Sequence, residues 1–315
     1  MRPKVAVVLG GGGARGLAHI GVLKALEREG VPVDLIVGTS MGAFVGGFYA
    51  AGVSVREMEE LAGIVDRTFV AKMLSPTLSS SGFVDGDRIR EYLKASIGEL
   101  NIEQLKIPFA AVATDFETGE EVVLDSGPVV EAIMASIAIP ALFKPVLRQN
   151  RFLIDGGFVN PLPVSIAHQR GADVIIAVNV ARNPSRRTPT NVRREQDQGF
   201  RLVRTVSLLR NRMWQQTWAR VTSSDKARRT VVDMSPKDSV TKDPLSPSML
   251  KSMMQSMSIM ENSLIAQHLK NNKPDALITP AVDGIELLAF HRAKDLIKLG
   301  EESALQSLRL IATRF

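Results

Sequence analysis

Three short stretches carry residue types that could do chemistry together: Gly38-Thr39-Ser40-Met41-Gly42, Gly10-Gly11-Gly12-Gly13-Ala14-Arg15-Gly16 and Asp155-Gly156-Gly157. The first follows the apolar run Leu35-Ile36-Val37 and precedes a run of small residues. That is the pattern of a G-x-S-x-G elbow, where a sharp strand-to-helix turn lifts a serine hydroxyl clear of a sheet. Gly38 and Gly42 leave room for the strained backbone on either side of Ser40. The turn also puts Ser40 at a helix N-terminus, where free N–H groups and the helix dipole favour negative charge. The plain alternative is a glycine-rich turn with a capping serine.

The second stretch also fits Gly11-x-Gly13-x-x-Gly16, the spacing of a dinucleotide-binding loop. Such a site wants an acidic residue at the end of the second strand to hold a ribose. Here that strand runs into Val37-Gly38-Thr39-Ser40 instead. Consecutive glycine N–H groups form a concave anion nest, and Arg15 adds a positive charge beside it. With the first two strands adjacent in a parallel sheet, this nest and Ser40 share one sheet edge, the arrangement of an oxyanion site facing a nucleophile.

A nucleophilic serine needs a base near neutral pH. Among the four histidines, His19, His268 and His291 fall inside helical patterns. His168 follows Asp155 in serine–acid–histidine order, yet lies late in a helix. Strand-end carboxylates are better placed. Asp155 closes the apolar strand Phe152-Leu153-Ile154 and is followed by two glycines that expose its side chain; the alternative is a turn aspartate capping its own loop. Asp115 also ends a strand, in the weaker context Phe116-Glu117-Thr118.

The elements that must position these groups alternate. Strand Val5–Leu9, the glycine loop, a helix from about Ala14 to Glu29, strand Asp34–Val37, the Ser40 turn and a helix through Ala51 follow one another within fifty residues. This alternation predicts a three-layer α/β/α domain with a mainly parallel sheet. Further strands are expected at Phe109–Thr114, Glu121–Leu124, Asp173–Val180 and Asp275–Thr279, and helices at Val55–Ile64, Asp87–Ile97, Pro128–Ser136, Pro161–His168, Leu287–Leu299 and Glu301–Ala312, the last two split by Gly300. We expect one domain over 1–315, with a basic helical insertion at about 181–271.

An apolar content of 45% in 315 residues is ample for a sizeable core, and the absence of cysteine excludes disulfides, thiolate metal sites and a cysteine nucleophile. No metal or cofactor is implied by the motifs. The N-terminal apolar run is too short for an export signal, so the expected location is cytoplasmic, with contact at the inner face of the membrane. The net charge of +6 is uneven: Arg182 to Arg229 holds 13 basic and 3 acidic residues, leaving the remainder near −4. In that segment Trp214 and Trp218 stand one helical turn apart among Arg210, Arg212 and Arg220, a composition suited to the headgroup layer of a membrane. A packing helix or homodimer contact is the competing reading, and no module for nucleic acid is present. Met249, Met253, Met257 and Met260 share one helical face, either lining an acyl channel or packing in the core.

Taken in order, Gly10–Gly16, Gly38–Gly42 and Asp155-Gly156-Gly157 resemble the patatin-like phospholipase family. Ser136-Ile137-Ala138-Ile139-Pro140 resembles its segment before the Asp-Gly-Gly turn, and Asp275–Ile278 with Phe290–Ala293 resembles the bacterial branch related to neuropathy target esterase. The similarity covers Val5–Val180 and Asp275–Ala304; one departure is Gly10, where many relatives carry aspartate. The resemblance implies a serine lipid acyl hydrolase on phospholipids or lysophospholipids, with Ser40 as nucleophile, Asp155 as base in a Ser-Asp dyad without histidine, and Gly11, Gly12, Gly13 and Arg15 as the oxyanion site. Gly16, Gly38, Gly42, Gly156 and Gly157 then support these motifs. Acyl transfer or thioester cleavage through the same acyl-serine, and an inactive lipid- or protein-binding scaffold, remain the alternatives.

Overall fold

A computed structural model describes residues 2–65, 86–140, 142–182 and 249–311. Arg210, Arg212, Trp214, Trp218 and Arg220 of the expected basic insertion lie outside the described residues. The described residues up to Arg182 and from Ser252 onward belong to one compact unit.

Short apolar runs, fully buried at the centre of the sheet, form the strands that a two-sided α/β sheet demands. They are β1 (Val5–Leu9), β2 (Leu35–Thr39), β3 (Phe109–Asp115), β4 (Glu121–Leu124), β5 (Val146–Arg148), β6 (Arg151–Asp155), β7 (Val174–Val178) and β8 (Ala276–Ile278). β3, β2, β1, β7 and β8 run parallel in that order, while β4, β5 and β6 add antiparallel pairings beyond β3. The sheet is thus mixed with a parallel centre, and helices cover both faces. Val5, Val7, Leu9 and Ile36 enter one core, Ala6, Val8, Val37 and Val112 the other, as strand alternation requires.

The helices are α1 (Ala18–Arg28), α2 (Met41–Ala51), α3 (Val55–Ile64), α4 (Asp87–Ile97), α5 (Val129–Ser136), α6 (Val164–Gln169), α7 (Met249–Asn271) and α8 (Ala293–Ile311). Ser54 and Glu57 make a reciprocal capping box at the start of α3. Gly300 does not split the C-terminal helix, contrary to expectation. A Cβ there would lie 1.9 Å from the Ala18 carbonyl oxygen, and one on Gly21 would lie 1.8 Å from that of Ile297. Gly300 is therefore a contact residue at which α8 crosses α1 backbone to backbone. A continuous α8 also satisfies the hydrogen bonds that a break would expose.

One detail of the sheet decides the geometry that follows. Ala111 and Val112 pair with both β2 and β4, and Ala113 and Thr114 pair with both β4 and β6. A strand has two edges, so β2 and β6 must share the edge of β3 that β4 leaves free. They approach from opposite directions and meet at their C-terminal ends: Thr39 partners Val112, and Asp155 partners the next residue, Ala113. The unexpected strand β5 completes a hairpin with β6 through Gln149 and Asn150, whose φ angles of +49° and +58° match a two-residue turn of type I′.

Candidate active site

Ser40 follows Thr39 at the end of β2, and Asp155 ends β6, so the head-to-head register puts a hydroxyl beside a carboxyl 115 positions away. Ser40 Oγ donates to Asp155 Oδ2 at 2.6 Å. The Ser40 backbone has φ +54° and ψ −122°, a conformation costly for any residue but glycine and held only by over-determined surroundings. Those surroundings are visible. The Ser40 N–H donates to Ser136 Oγ at 2.8 Å, which in turn donates to the Val112 carbonyl at 2.6 Å. Thr39 Oγ1 donates to the Asn160 carbonyl at 2.8 Å.

Two glycines make the close approaches possible. A Cβ on Gly42 would lie 2.0 Å from the Leu9 carbonyl oxygen, and one on Gly156 would lie 2.2 Å from that of Val112. The first lets α2 rise directly off β1; the second lets the chain turn beside β3 immediately after Asp155. Gly38 packs against the start of α2 at Ala43, and Gly16 against Met41, so both hold the elbow from below.

Asp155 is fully buried and accepts from Ser40 Oγ and from the Gly157 N–H, the latter at 2.7 Å. Burial pushes its carboxyl up to about 7, with the two hydrogen bonds pulling the other way. A carboxyl so placed gains a proton readily near neutrality, which an ordinary surface aspartate does not.

The glycine loop runs past the elbow: a Cβ on Gly11 would touch Ser40 Cβ at 3.5 Å. Its donors are not equivalent. The Gly11 N–H donates to the Pro161 carbonyl at 2.9 Å, that of Ala14 to Leu287 at 2.7 Å, and that of Arg15 to Gly12 at 3.3 Å. Among the described residues, the N–H groups of Gly12 and Gly13 have no acceptor. Gly12 and Gly13 thus keep unspent donors in the loop, whereas the Gly11 N–H is held by Pro161. Arg15 is buried with Nε donating to the Gly12 carbonyl at 3.1 Å, which makes it a brace of the loop. His19 is buried beneath the same loop and bonds the Gly10 carbonyl at 2.8 Å; a carbonyl only accepts, so Nε2 carries the hydrogen. Burial lowers its pKa to about 4, so the ring is neutral and structural. His168 bonds the Lys273 carbonyl and His268 bonds Asn160 Oδ1, so neither is the partner of Ser40. Among the described residues, no three His, Cys, Asp or Glu side chains are grouped to hold a metal ion.

Known proteins share part of this sequence. The family model for patatin-like phospholipase matches residues 7–168, just over half of the chain. The chain belongs to the patatin-like phospholipase family. An uncharacterized NTE family protein of Mycobacterium tuberculosis is 40% identical over 210 residues, which are 66% of this chain and 58% of that protein. The lysophospholipase nte1 of Emericella nidulans is 36% identical over 183 residues, 56% of this chain and 12% of the fungal protein. The chain thus matches little more than half of the bacterial relative's length and a small part of the fungal one. The crystal structure of VipD from Legionella pneumophila superposes with a TM-score of 0.54 at 15% identity, covering 97% of this chain and 66% of that chain, a likeness of fold alone.

Sequence reasoning missed several members of this patatin-like site. Ser136 stood in a quoted motif without a role, and its bridge from Val112 to Ser40 needs the fold to be seen. Glu261 was not singled out at all, yet it is buried against Gly157 beside Asp155. Its signal was available: it is the one acidic residue in α7, and it falls four positions from both Met257 and Ile265 on the inward face.

Proposed function

We propose that this protein is a carboxylic-ester hydrolase that cleaves acyl chains from phospholipids or lysophospholipids through Ser40 and Asp155. The observation that carries this reading is the 2.6 Å contact from Ser40 Oγ to the buried Asp155 carboxyl. In the first half-reaction Ser40 Oγ attacks the ester carbonyl as its proton passes to Asp155. The carbonyl oxygen takes the negative charge, and the N–H groups of Gly12 and Gly13 are the donors left to receive it. The tetrahedral species collapses, the acyl–oxygen bond breaks, and Asp155 returns the proton to the leaving alcohol. Water then discharges the acyl-serine by the reverse route, with Asp155 again accepting and returning one proton.

Moving charge from a buried carboxylate to a pair of fixed dipoles requires no reorganisation of the protein, which is why a weak base suffices here. The relatives' names support a lipid substrate: a lysophospholipase of the NTE type shares the matched region. On this reading 1–315 forms one catalytic domain, and the tryptophan- and arginine-bearing segment at 199–221 meets an anionic membrane surface. Fluorophosphonate labelling tests the proposal directly. Wild-type protein should be labelled at Ser40, and both Ser40→Ala and Asp155→Asn should lose labelling together with fatty acid release from lysophospholipid. Labelling that survives Ser40→Ala would sink the assignment.

A further inference from the structure

A second carboxyl stands in the site without a part in the chemistry above. Glu261 projects from the inward face of α7, a helix that lies wholly beyond the residues matched by the family model. It is 3% exposed, and the charged groups that act on its carboxyl are Asp155 and Arg15. Glu261 Oε1 and Asp155 Oδ1 lie 2.8 and 3.1 Å from the point where a Cβ on Gly157 would sit, with Met257 Cε at 3.3 Å closing the apolar side. The two oxygens are therefore no more than about 6 Å apart, a span that one water bonded to both would bridge.

Keeping a carboxyl buried beside Asp155 is costly, so a side chain held in this position has work to do at some stage of the reaction. The acyl-enzyme stage supplies one. Once Ser40 carries the acyl group, Asp155 must take a proton from an attacking molecule, and that molecule needs a second point of attachment to aim its lone pair. We propose that Glu261 seats the water that discharges acyl-Ser40, holding it between its own carboxyl and that of Asp155. One water hydrogen passes to Asp155 while the other stays on oxygen and is accepted by Glu261. The water oxygen bonds to the acyl carbon, the bond from that carbon to Ser40 Oγ breaks, and Asp155 returns the proton to Oγ. Glu261 neither gains nor loses a proton in the cycle.

The electrostatics agree with an uncharged role. The groups facing Glu261 are Asp155 at the end of β6 and Arg15 in the glycine loop, with Arg182 and Asp283 acting in turn on Arg15. Burial first, then the Asp155 charge, push the Glu261 carboxyl up to about 8, while Arg15 pulls it back. At neutral pH it is a carboxylic acid whose carbonyl oxygen accepts from water without adding a second negative charge to the site.

This proposal rests on the Ser40–Asp155 reading, and the experiment separates the two. A nitrophenyl ester gives the rate of the first turnover and of the steady state in one stopped-flow trace. Glu261→Leu keeps the volume and suits the Met257 surroundings but cannot hold water; Glu261→Gln keeps a carbonyl acceptor. We expect the ratio of first-turnover to steady-state rate to rise at least about tenfold in Glu261→Leu and to stay near wild type in Glu261→Gln, with fluorophosphonate labelling of Ser40 within a few-fold of wild type in both. An unchanged ratio in Glu261→Leu, or an equal fall of both phases, overturns the role of Glu261 while leaving the dyad standing. A first turnover that persists in Ser40→Ala overturns both.

Discussion

Two aspartates end neighbouring strands of the sheet, Asp115 on β3 and Asp155 on β6, and their proton affinities move in opposite directions. Asp115 Oδ1 accepts from the N–H groups of Glu117 and Thr118, and Arg151 lies 3.7 Å from its other oxygen. Those donors, the Thr118 N–H first among them, hold its carboxyl below the usual range. Asp155 has one backbone donor and one hydroxyl, with burial outweighing both. The difference teaches what separates a capping carboxylate from a base: the supply of donors and cations, set by the turn that follows. Glu117 and Thr118 fold their N–H groups back onto Asp115, whereas Gly156-Gly157 spends only one on Asp155.

The largest expected effect would break this comparison outright. Asp155→Asn should lower kcat for ester hydrolysis by about 10³-fold or more, and Asp115→Asn should leave it within a few-fold. Comparable losses in both would show that strand-end geometry alone, not proton affinity, governs activity. A subtler test is the pH profile of kcat/KM. Asp155 works only when ionised, so the rate with a neutral ester should rise as pH increases through about 7. A limb near 4 would mean that Asp155 is not held as described.

Stability should respond with opposite signs. Between its ordinary value of 3.8 and about 7, native Asp155 keeps a proton that the unfolded chain has lost, so it costs stability progressively as pH rises through that window. Asp155→Asn should match wild type in melting temperature at pH 4 and exceed it by a few degrees at pH 8. Asp115 has a lowered pKa, so its contribution is present above the unfolded value and fades as pH falls through the folded one. Asp115→Asn should therefore lower the melting temperature at pH 7 and do so less at pH 2–3. Smallest of all, Arg151→Ala removes an exposed partner of Asp115 and should change the melting temperature by about 1 °C or less, read by calorimetry.

Much of this was legible before the fold was known, for a physical reason. Ser40 and the glycines beside it are demanded by backbone geometry that few residues tolerate, so local sequence betrays them. Asp155 was readable because an apolar strand followed by two glycines leaves little else for an acid to do. What stayed hidden depends on register or on crossing chains. Ser136 acts through β3, and the role of Gly300 comes from α1 rather than from its own helix. In the glycine loop, spacing does not reveal that Pro161 takes up the Gly11 donor.

The close backbone approaches of Gly21 to Ile297 and of Gly300 to Ala18 have a consequence for how small a working version of this protein can be. A fragment ending near residue 182 would retain Ser40, Asp155 and the whole glycine loop, yet leave the helix that springs from that loop without its clasp. Leu296 and Ala304, buried in the same core, would leave with the C-terminal helix and strip apolar cover from the heart of the sheet. Every recognisable signature could thus be kept in a polypeptide that no longer holds its shape, so the boundary of the signature and the boundary of the foldable body fall in different places.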